Sequence, residues 1–348
     1  YFKYKTTKAL AEDALSRGLD VRFDEDLSPL LQPLTIEGRT LGNRLAIHPM
    51  EGCDGTADGH VGELTLRRYR RFGAGGAKLI WGEAVAVVPE GRANPRQLVM
   101  SGQHADGLRQ LLDACRQAHQ GVFGHQDDLL VGIQLTHSGR YSQPIPIRAQ
   151  RDPLLDPRTI LDKSTGRAAG PDDPLISDDE LDALLEKYIE AARLAFAIGF
   201  DFIDLKQCHR YLLCELLSAR SRPGRYGGSF ENRTRFIRTL VERLRGEFPN
   251  KLLATRLNVY DGVPFEKGSD SDQGVPSPWE PPVDSCWGVS SNDPSRADLA
   301  EPLRLVGELK RLGISLLNVT LGNPYANPHF GRPFEYAPVD GYLPPEHP

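Results

Sequence analysis

The sequence predicts an α/β fold with parallel strands, of a size that makes one large α/β barrel or two medium domains. Three observations carry this. Short apolar or β-branched runs recur along the chain, each followed by a polar turn and a segment of helical period, the rhythm of parallel strands with covering helices. At 348 residues the chain is long enough to bury such a core. Polar residues crowd directly behind the apolar runs, and the carboxyl end of a buried strand is where a parallel α/β fold places its chemistry.

Residues 1–34 read as a polar lead-in with a short helix around Ala9 to Arg17, and residues 35–348 as the main domain. Six runs count as strands: Arg44 to His48, Ala77 to Trp81, Leu130 to Leu135, Phe200 to Leu205, Leu252 to Leu257, and Ile314 to Thr320. The clearest helix is 178 to 197. Ser177 and Glu180 form a capping box ahead of it, and Leu181, Leu184, Leu185, Tyr188, Ala192 and Ala195 share one face. A second helix follows Ser229, with Phe236, Leu240 and Leu244 on its apolar stripe, and a third runs from about Arg296 to Leu312. Two stretches break the rhythm: Pro144 to Pro174, rich in Pro, Asp and Arg, and Lys267 to Asp298, which carries Trp279 and Trp287. Loops of this length cover a site or are mobile insertions. A closed (β/α)8 barrel needs eight strands. With six counted, the last two β/α units are expected to be absent from the chain.

Composition narrows the function classes. Lys and Arg number 42 against 47 Asp and Glu, a formal charge of −5, which disfavours a nucleic-acid-binding surface but leaves room for a small anion site. No apolar run reaches the roughly 18 residues of a membrane span. Tyr1-Phe2-Lys3-Tyr4-Lys5 has no secretory pattern, and no initiator Met precedes it. The cysteines Cys53, Cys115, Cys208, Cys214 and Cys286 are scattered, odd in number and form no CxxC pair, which points to a reducing cytoplasm rather than a disulfide framework. Cys208, His209 and Cys214 fit no common metal spacing, so no metal is expected.

The polar residues at each strand end suggest chemistry. The fourth run stops and at once delivers Lys206, His209 and Tyr211, followed by Arg225-Tyr226-Gly227-Gly228-Ser229-Phe230-Glu231-Asn232-Arg233. A phenol with an unperturbed pKa near ~10 is protonated at neutral pH and can serve as an acid. The first run ends in Pro49-Met50-Glu51, and the second in Gly82-Glu83-Ala84, small residues that either pack tightly or let a flat ligand approach. The third ends Gln134-Leu135-Thr136-His137-Ser138-Gly139-Arg140. An inward Gln134 must hydrogen-bond something, a heterocycle or neighbouring backbone, and His137 reads as structural. Arg256, ending the fifth run, is costly inside a barrel mouth unless it faces an anion or an internal partner, for which Glu83 is a candidate. The sixth run ends amide-rich at Asn318-Val319-Thr320-Leu321-Gly322-Asn323.

Taken in order, these stretches resemble the Old Yellow Enzyme family, the NADH:flavin oxidoreductases, from about Leu34 to Pro333. Tyr226-Gly227-Gly228-Ser229-Phe230-Glu231-Asn232-Arg233 is the most specific part, and the tone is nearest the 2,4-dienoyl-CoA reductase-like branch, barrel domain only. The resemblance implies a TIM barrel holding FMN across its carboxyl-terminal mouth. Pro49, Met50 and Glu51 would line one flavin face with Ala84 close by, Gln134 would meet the pyrimidine edge, and Arg256 would stabilise negative charge on the reduced ring. It implies NAD(P)H as hydride donor and an electron-poor alkene as acceptor, with Tyr211 as proton donor and Lys206 and His209 holding the activating oxygen. Lys206 stands where the family commonly has His, which favours anionic or strongly polar acceptors. Arg210 stands where Gly is usual, adding bulk that would re-aim Tyr211. Glu51 replaces a small hydroxyl or Cys. Oxidative demethylation or amine oxidation, or a non-catalytic barrel remnant, are the competing readings. The expected partner is a small molecule, with no nucleic acid or membrane, and a homo-oligomer is allowed.

Overall fold

The computed structural model describes residues 4–332, 334, 336–337 and 341–345. Pro333, the far end of the resembling stretch, lies outside the described residues. The centre is a six-stranded sheet: β1 (Ala46–Ile47), β2 (Leu79–Ala86), β3 (Leu130–Thr136), β4 (Phe202–Gln207), β5 (Leu252–Tyr260) and β6 (Leu316–Leu321). The strands are parallel and lie in sequence order. One helix fills each crossover: α1 (Glu63–Ala74), α2 (Ala105–Phe123), α3 (Asp178–Ile198), α4 (Arg235–Glu247) and α5 (Ala300–Leu312). The sheet curls on itself, so that the Asn318 amide of β6 comes within 3.2 Å of the His48 ring beside β1. No ladder joins β6 to β1 among the described residues.

Two apolar layers hold this arrangement. Between sheet and helices pack Tyr69, Leu111, Tyr188, Leu240 and Leu305 against Val131, Ile133, Ile203, Leu205 and Leu253. Inside the curl, Leu41, Trp81, Leu130, Phe202, Leu252 and Ala254 plug the amino-terminal end. Leu41 arrives from a hairpin, Leu34–Ile36 paired with Arg39–Leu41, that precedes β1. Phe202 has space only because Gly132 lies opposite it: a Cβ on Gly132 would sit 2.2 Å from the Phe202 ring. Fully burying such a side chain contributes about 1.5–3 kcal/mol.

The helix α3 follows the sequence pattern closely. Ser177 accepts from the Glu180 amide, Glu180 reaches back to the Ser177 amide, and Gly199 in the left-handed region ends it. Differences arise where tertiary contacts override local signals. The second strand continues five residues beyond Trp81, so Gly82, Glu83 and Ala84 lie inside β2, past a register shift. Glu83 can sit there because Arg68 of α1 pairs with it at 2.6 Å and the Gly52 amide donates to it. β5 likewise runs on to Tyr260. Ser229 caps only a four-residue turn, Phe230–Arg233, before α4 begins at Arg235, and α5 starts at Ala300, where Asp298 accepts from its amide. Each long excursion contains a small hairpin, Ile160–Asp162 with Arg167–Ala168 and Phe265–Lys267 with Gly274–Pro276. The lead-in carries its helix at Thr7–Ser16. Among the described residues, no helix is long and apolar enough to cross a membrane.

Candidate active site

The strand exits converge on two linked polar clusters. The first is built around Asp204 of β4, a fully buried carboxylate in register with Gln134 of β3, which is itself in register with Ala84 of β2. Asp204 accepts from the Trp81 indole at 2.7 Å, the Gln134 amide nitrogen at 2.5 Å and the Arg256 backbone amide at 2.7 Å. Burial pushes its pKa up and these donors oppose the rise. Because Asp204 takes the nitrogen of Gln134, the amide oxygen is left as a buried acceptor with no partner among the described residues. The Arg256 guanidinium is in a similar position. Among the described residues it makes one hydrogen bond, to the Pro49 carbonyl at 3.5 Å, and its buried Nε has no partner. Glu83 is not its counter-ion, contrary to the internal pairing the sequence allowed, because α1 supplies Arg68 first.

The second cluster lies where β1, β4 and the loop after β6 meet. Glu51 Oε1 accepts from Lys206 Nζ at 3.0 Å and from the Tyr211 hydroxyl at 3.2 Å. The Lys206 ammonium also stands 3.8 Å from the centre of the Tyr211 ring, a cation–π contact. The Tyr211 hydroxyl lies 2.9 Å from that of Tyr325, whose ring stacks on Tyr141 at 4.2 Å. Burial and the Glu51 charge push the Tyr211 pKa well above that of a free phenol, so the group holds its proton. Burial, with Lys206 and Arg256 nearby, pushes the His209 pKa well down and keeps the imidazole neutral. His209 and Tyr211 meet edge to face, ring centres 6.3 Å apart.

An unusual turn aims Tyr211. His209 and Arg210 both adopt left-handed backbone, φ 63° and 59°, a conformation that costs a non-glycine residue about 1–2 kcal/mol. Arg210 does not crowd the site as its bulk led one to expect. Its side chain turns away into buried ion pairs with Asp152 and, at 2.9 Å, Asp261. Tyr211 then caps the short helix Leu212–Leu217, whose first amide bonds the His137 carbonyl at 3.1 Å. His137 is structural in this setting: its Nδ1 accepts from the Gly139 amide, and burial lowers its pKa to about 4. Arg140 is tied to Glu215 and Asp156.

Pro49 is buried at the edge of this hollow, Glu51 half-buried within it, and Met50 is 62% exposed. Gln134, Ala84, Arg256 and Pro49 therefore share one cluster, and Glu51, Lys206, His209 and Tyr211 the other, joined through the Pro49–Glu51 segment. Three contributors escaped the sequence reading. Asp204 looked like an ordinary strand residue, although a carboxylate inside an apolar run is itself a signal of a buried partner. Tyr141 and Tyr325 sit in loops whose spatial proximity no sequence spacing encodes.

The residues suit a flat, electron-accepting heterocycle. The Gln134 amide oxygen, unpartnered among the described residues, fits a ring N–H, the Arg256 guanidinium, in no ion pair among them, fits a ring that gains negative charge, and the small Ala84 side chain, in register with Gln134, leaves the floor low.

Comparison with known proteins agrees. The NADH:flavin oxidoreductase / NADH oxidase family matches residues 29–273. An NADPH dehydrogenase of Geobacillus sp. (strain WCH70) is 32% identical over 261 residues, 71% of this chain and 70% of the relative. An NADH:flavin oxidoreductase of Gibberella zeae is 28% identical over 263 residues, 71% of this chain and 60% of its own length. The crystal structure of Old Yellow Enzyme from Pichia sp. AKU4542 superposes with a TM-score of 0.64 at 18% identity, covering 84% of this chain and 71% of that one, and shows the shared TIM-barrel fold. The chain belongs to the NADH:flavin oxidoreductase / NADH oxidase family of oxidoreductases, with FMN as cofactor and NAD(P)H as electron donor.

Proposed function

We propose that this protein reduces activated alkenes at the expense of NAD(P)H, with Tyr211 as proton donor and Lys206 and His209 holding the activating oxygen of the acceptor. The observation that carries the reading is the Tyr211 phenol, buried, protonated and set beside an ammonium. Pro49, Met50, Glu51, Ala84, Gln134 and Arg256 would hold FMN, which would supply two-electron hydride chemistry. Gln134 would offer its free amide oxygen to a ring N–H, and Arg256 would supply positive charge to stabilise a reduced, negatively charged ring. Lys206 polarises the acceptor's oxygen, and the neutral His209 can donate a hydrogen bond without adding charge. Tyr211 completes the reduction by protonating the α-carbon. With its charge paired to Glu51, the Lys206 ammonium acts as a strong hydrogen-bond donor and selects strongly polar acceptors.

Amine oxidation fits less well. Three tyrosine rings beside a carboxylate would suit a substrate cation, but the Lys206 ammonium already occupies that seat. A non-catalytic remnant would have no use for a half-buried guanidinium outside any ion pair and a buried amide oxygen without a partner among the described residues.

The test is Tyr211→Phe, followed in separate half-reactions. Flavin reduction by NADPH should keep its rate, while reoxidation by an enone should slow by about 10²- to 10⁴-fold, the usual contribution of a positioned acid. Equal losses in both halves would remove the proton-donor role.

A further inference from the structure

We propose that Tyr325 is the relay through which Tyr211 regains its proton from water between turnovers. The proposal rests on Tyr211 being the proton donor. A donor that gives up a proton in every cycle must be recharged, and Tyr211 is poorly placed to do so alone, since it is only 2% exposed. Among the described residues its hydroxyl has two hydrogen-bonding neighbours. One is Glu51 Oε1, which it shares with the Lys206 ammonium, so this carboxylate acts there as an acceptor. The other is the Tyr325 hydroxyl, 2.9 Å away, on a residue that is 55% exposed. Lys206 itself meets the ring face of Tyr211. Tyr325 is therefore the contact that reaches from the buried phenol towards solvent.

The surrounding loop holds Tyr325 to this task. Its ring stacks on Tyr141 with an interplanar angle of 24° and runs nearly parallel to that of Tyr211, at 18°. Its backbone amide donates to the Asn323 side chain at 2.9 Å, and Asn323 in turn donates to the Tyr141 hydroxyl at 2.5 Å. Asn327 pins the same loop to the exit of β5, donating to the carbonyls of Asp261 at 2.9 Å and Val263 at 2.8 Å. The two hydroxyls are thus presented to each other by packed rings and a bonded loop.

The proton bookkeeping closes without any further reactant. The Tyr211 O–H bond breaks as its proton passes to the α-carbon of the acceptor, leaving a phenolate. The Tyr325 O–H bond then breaks, its proton forming a new O–H bond on Tyr211. Water or a buffer acid finally reprotonates the Tyr325 oxygen.

Tyr325→Phe tests this while keeping the ring and its stacking. In the FMN-loaded protein, the first turnover with an enone should keep the parent rate, because Tyr211 begins protonated. Later turnovers should slow by about 10²-fold, the lower bound for loss of a positioned proton donor, and should recover with added imidazole buffer. An independent readout needs no turnover. In the chain labelled with 13C at tyrosine Cζ, in mixed H2O and D2O, fast hydroxyl exchange gives Tyr211 one averaged line and slow exchange splits it. We expect one line in the parent and two in Tyr325→Phe. An unsplit line and unslowed turnover in the variant would overturn the relay, as would splitting in Glu51→Gln and not in Tyr325→Phe. Failure of the parent reading is distinguishable, because Tyr211→Phe would then reduce enones at the parent rate.

Discussion

At the scale of single residues, the site is defined by which charges have partners and which do not. Glu51 and Lys206 neutralise each other, whereas the Arg256 Nε and the Gln134 amide oxygen have no hydrogen-bond partner among the described residues. The buried histidines give a measurable consequence. His137 has a folded pKa of about 4 against an ordinary value near 6.5, and His209 is shifted in the same direction. Between those values the unfolded chain binds more protons than the folded one, so stability rises with pH through that window. The contribution is complete above pH ~6.5 and is lost as pH falls towards ~4, amounting to roughly 3 kcal/mol for His137 at about 1.4 kcal/mol per unit. Urea midpoints at pH 7 and pH 5 should therefore differ, and His137→Gln should flatten the difference. An unchanged slope in that variant would assign the pH dependence elsewhere.

At the scale of elements, the exit of β4 is the decisive piece. Two left-handed residues in succession are needed to reverse the chain and present Tyr211, and the Arg210 ion pairs to Asp152 and Asp261 hold them there. The same guanidinium fastens both long excursions to the barrel, since Asp152 also accepts from Ser285 and Asp261 from the Trp287 amide. Replacing Arg210 with Met would leave two buried carboxylates unpaired, a loss of about 3–5 kcal/mol. Arg210→Gly suffers the same loss but relaxes the backbone, regaining about 1–2 kcal/mol. Chemical denaturation should place the variants in the order parent, Gly, Met, and limited proteolysis should cut first within 144–174 or 267–298 in both. A Gly variant no more stable than Met would show that the turn is not strained. The sequence displayed Arg210 as a departure from the expected glycine, yet its purpose was hidden because both partners lie more than fifty residues away.

At the scale of the whole molecule, what could be read from the sequence was whatever repeats locally. Strand runs, the α3 capping box and the order of strand-end motifs need only neighbouring residues, and with them came the parallel sheet and most of the site. What could not be read depended on distant partners: the extension of β2 around Glu83, which requires Arg68, and the tyrosine group, which requires loops after β3, β4 and β6 to meet. The same long-range view exposes a liability. Along β6 the inward residues Asn318 and Thr320 are buried, whereas Leu317, Val319 and Leu321 are 41%, 55% and 39% exposed. β6 is also an edge, paired only with β5 among the described residues, so an apolar stripe accompanies a row of free backbone groups. Such an edge recruits other chains unless a charge interrupts it. Sedimentation velocity over a range of concentrations should show this chain associating, and Val319→Lys should shift it towards monomer. Because the Val319 side chain is more than half exposed, the variant's unfolding free energy should stay within about 0.5 kcal/mol of the parent. A parent chain that stays monomeric at every concentration would mean that the curl, bridged by Asn318 and His48, already protects the edge.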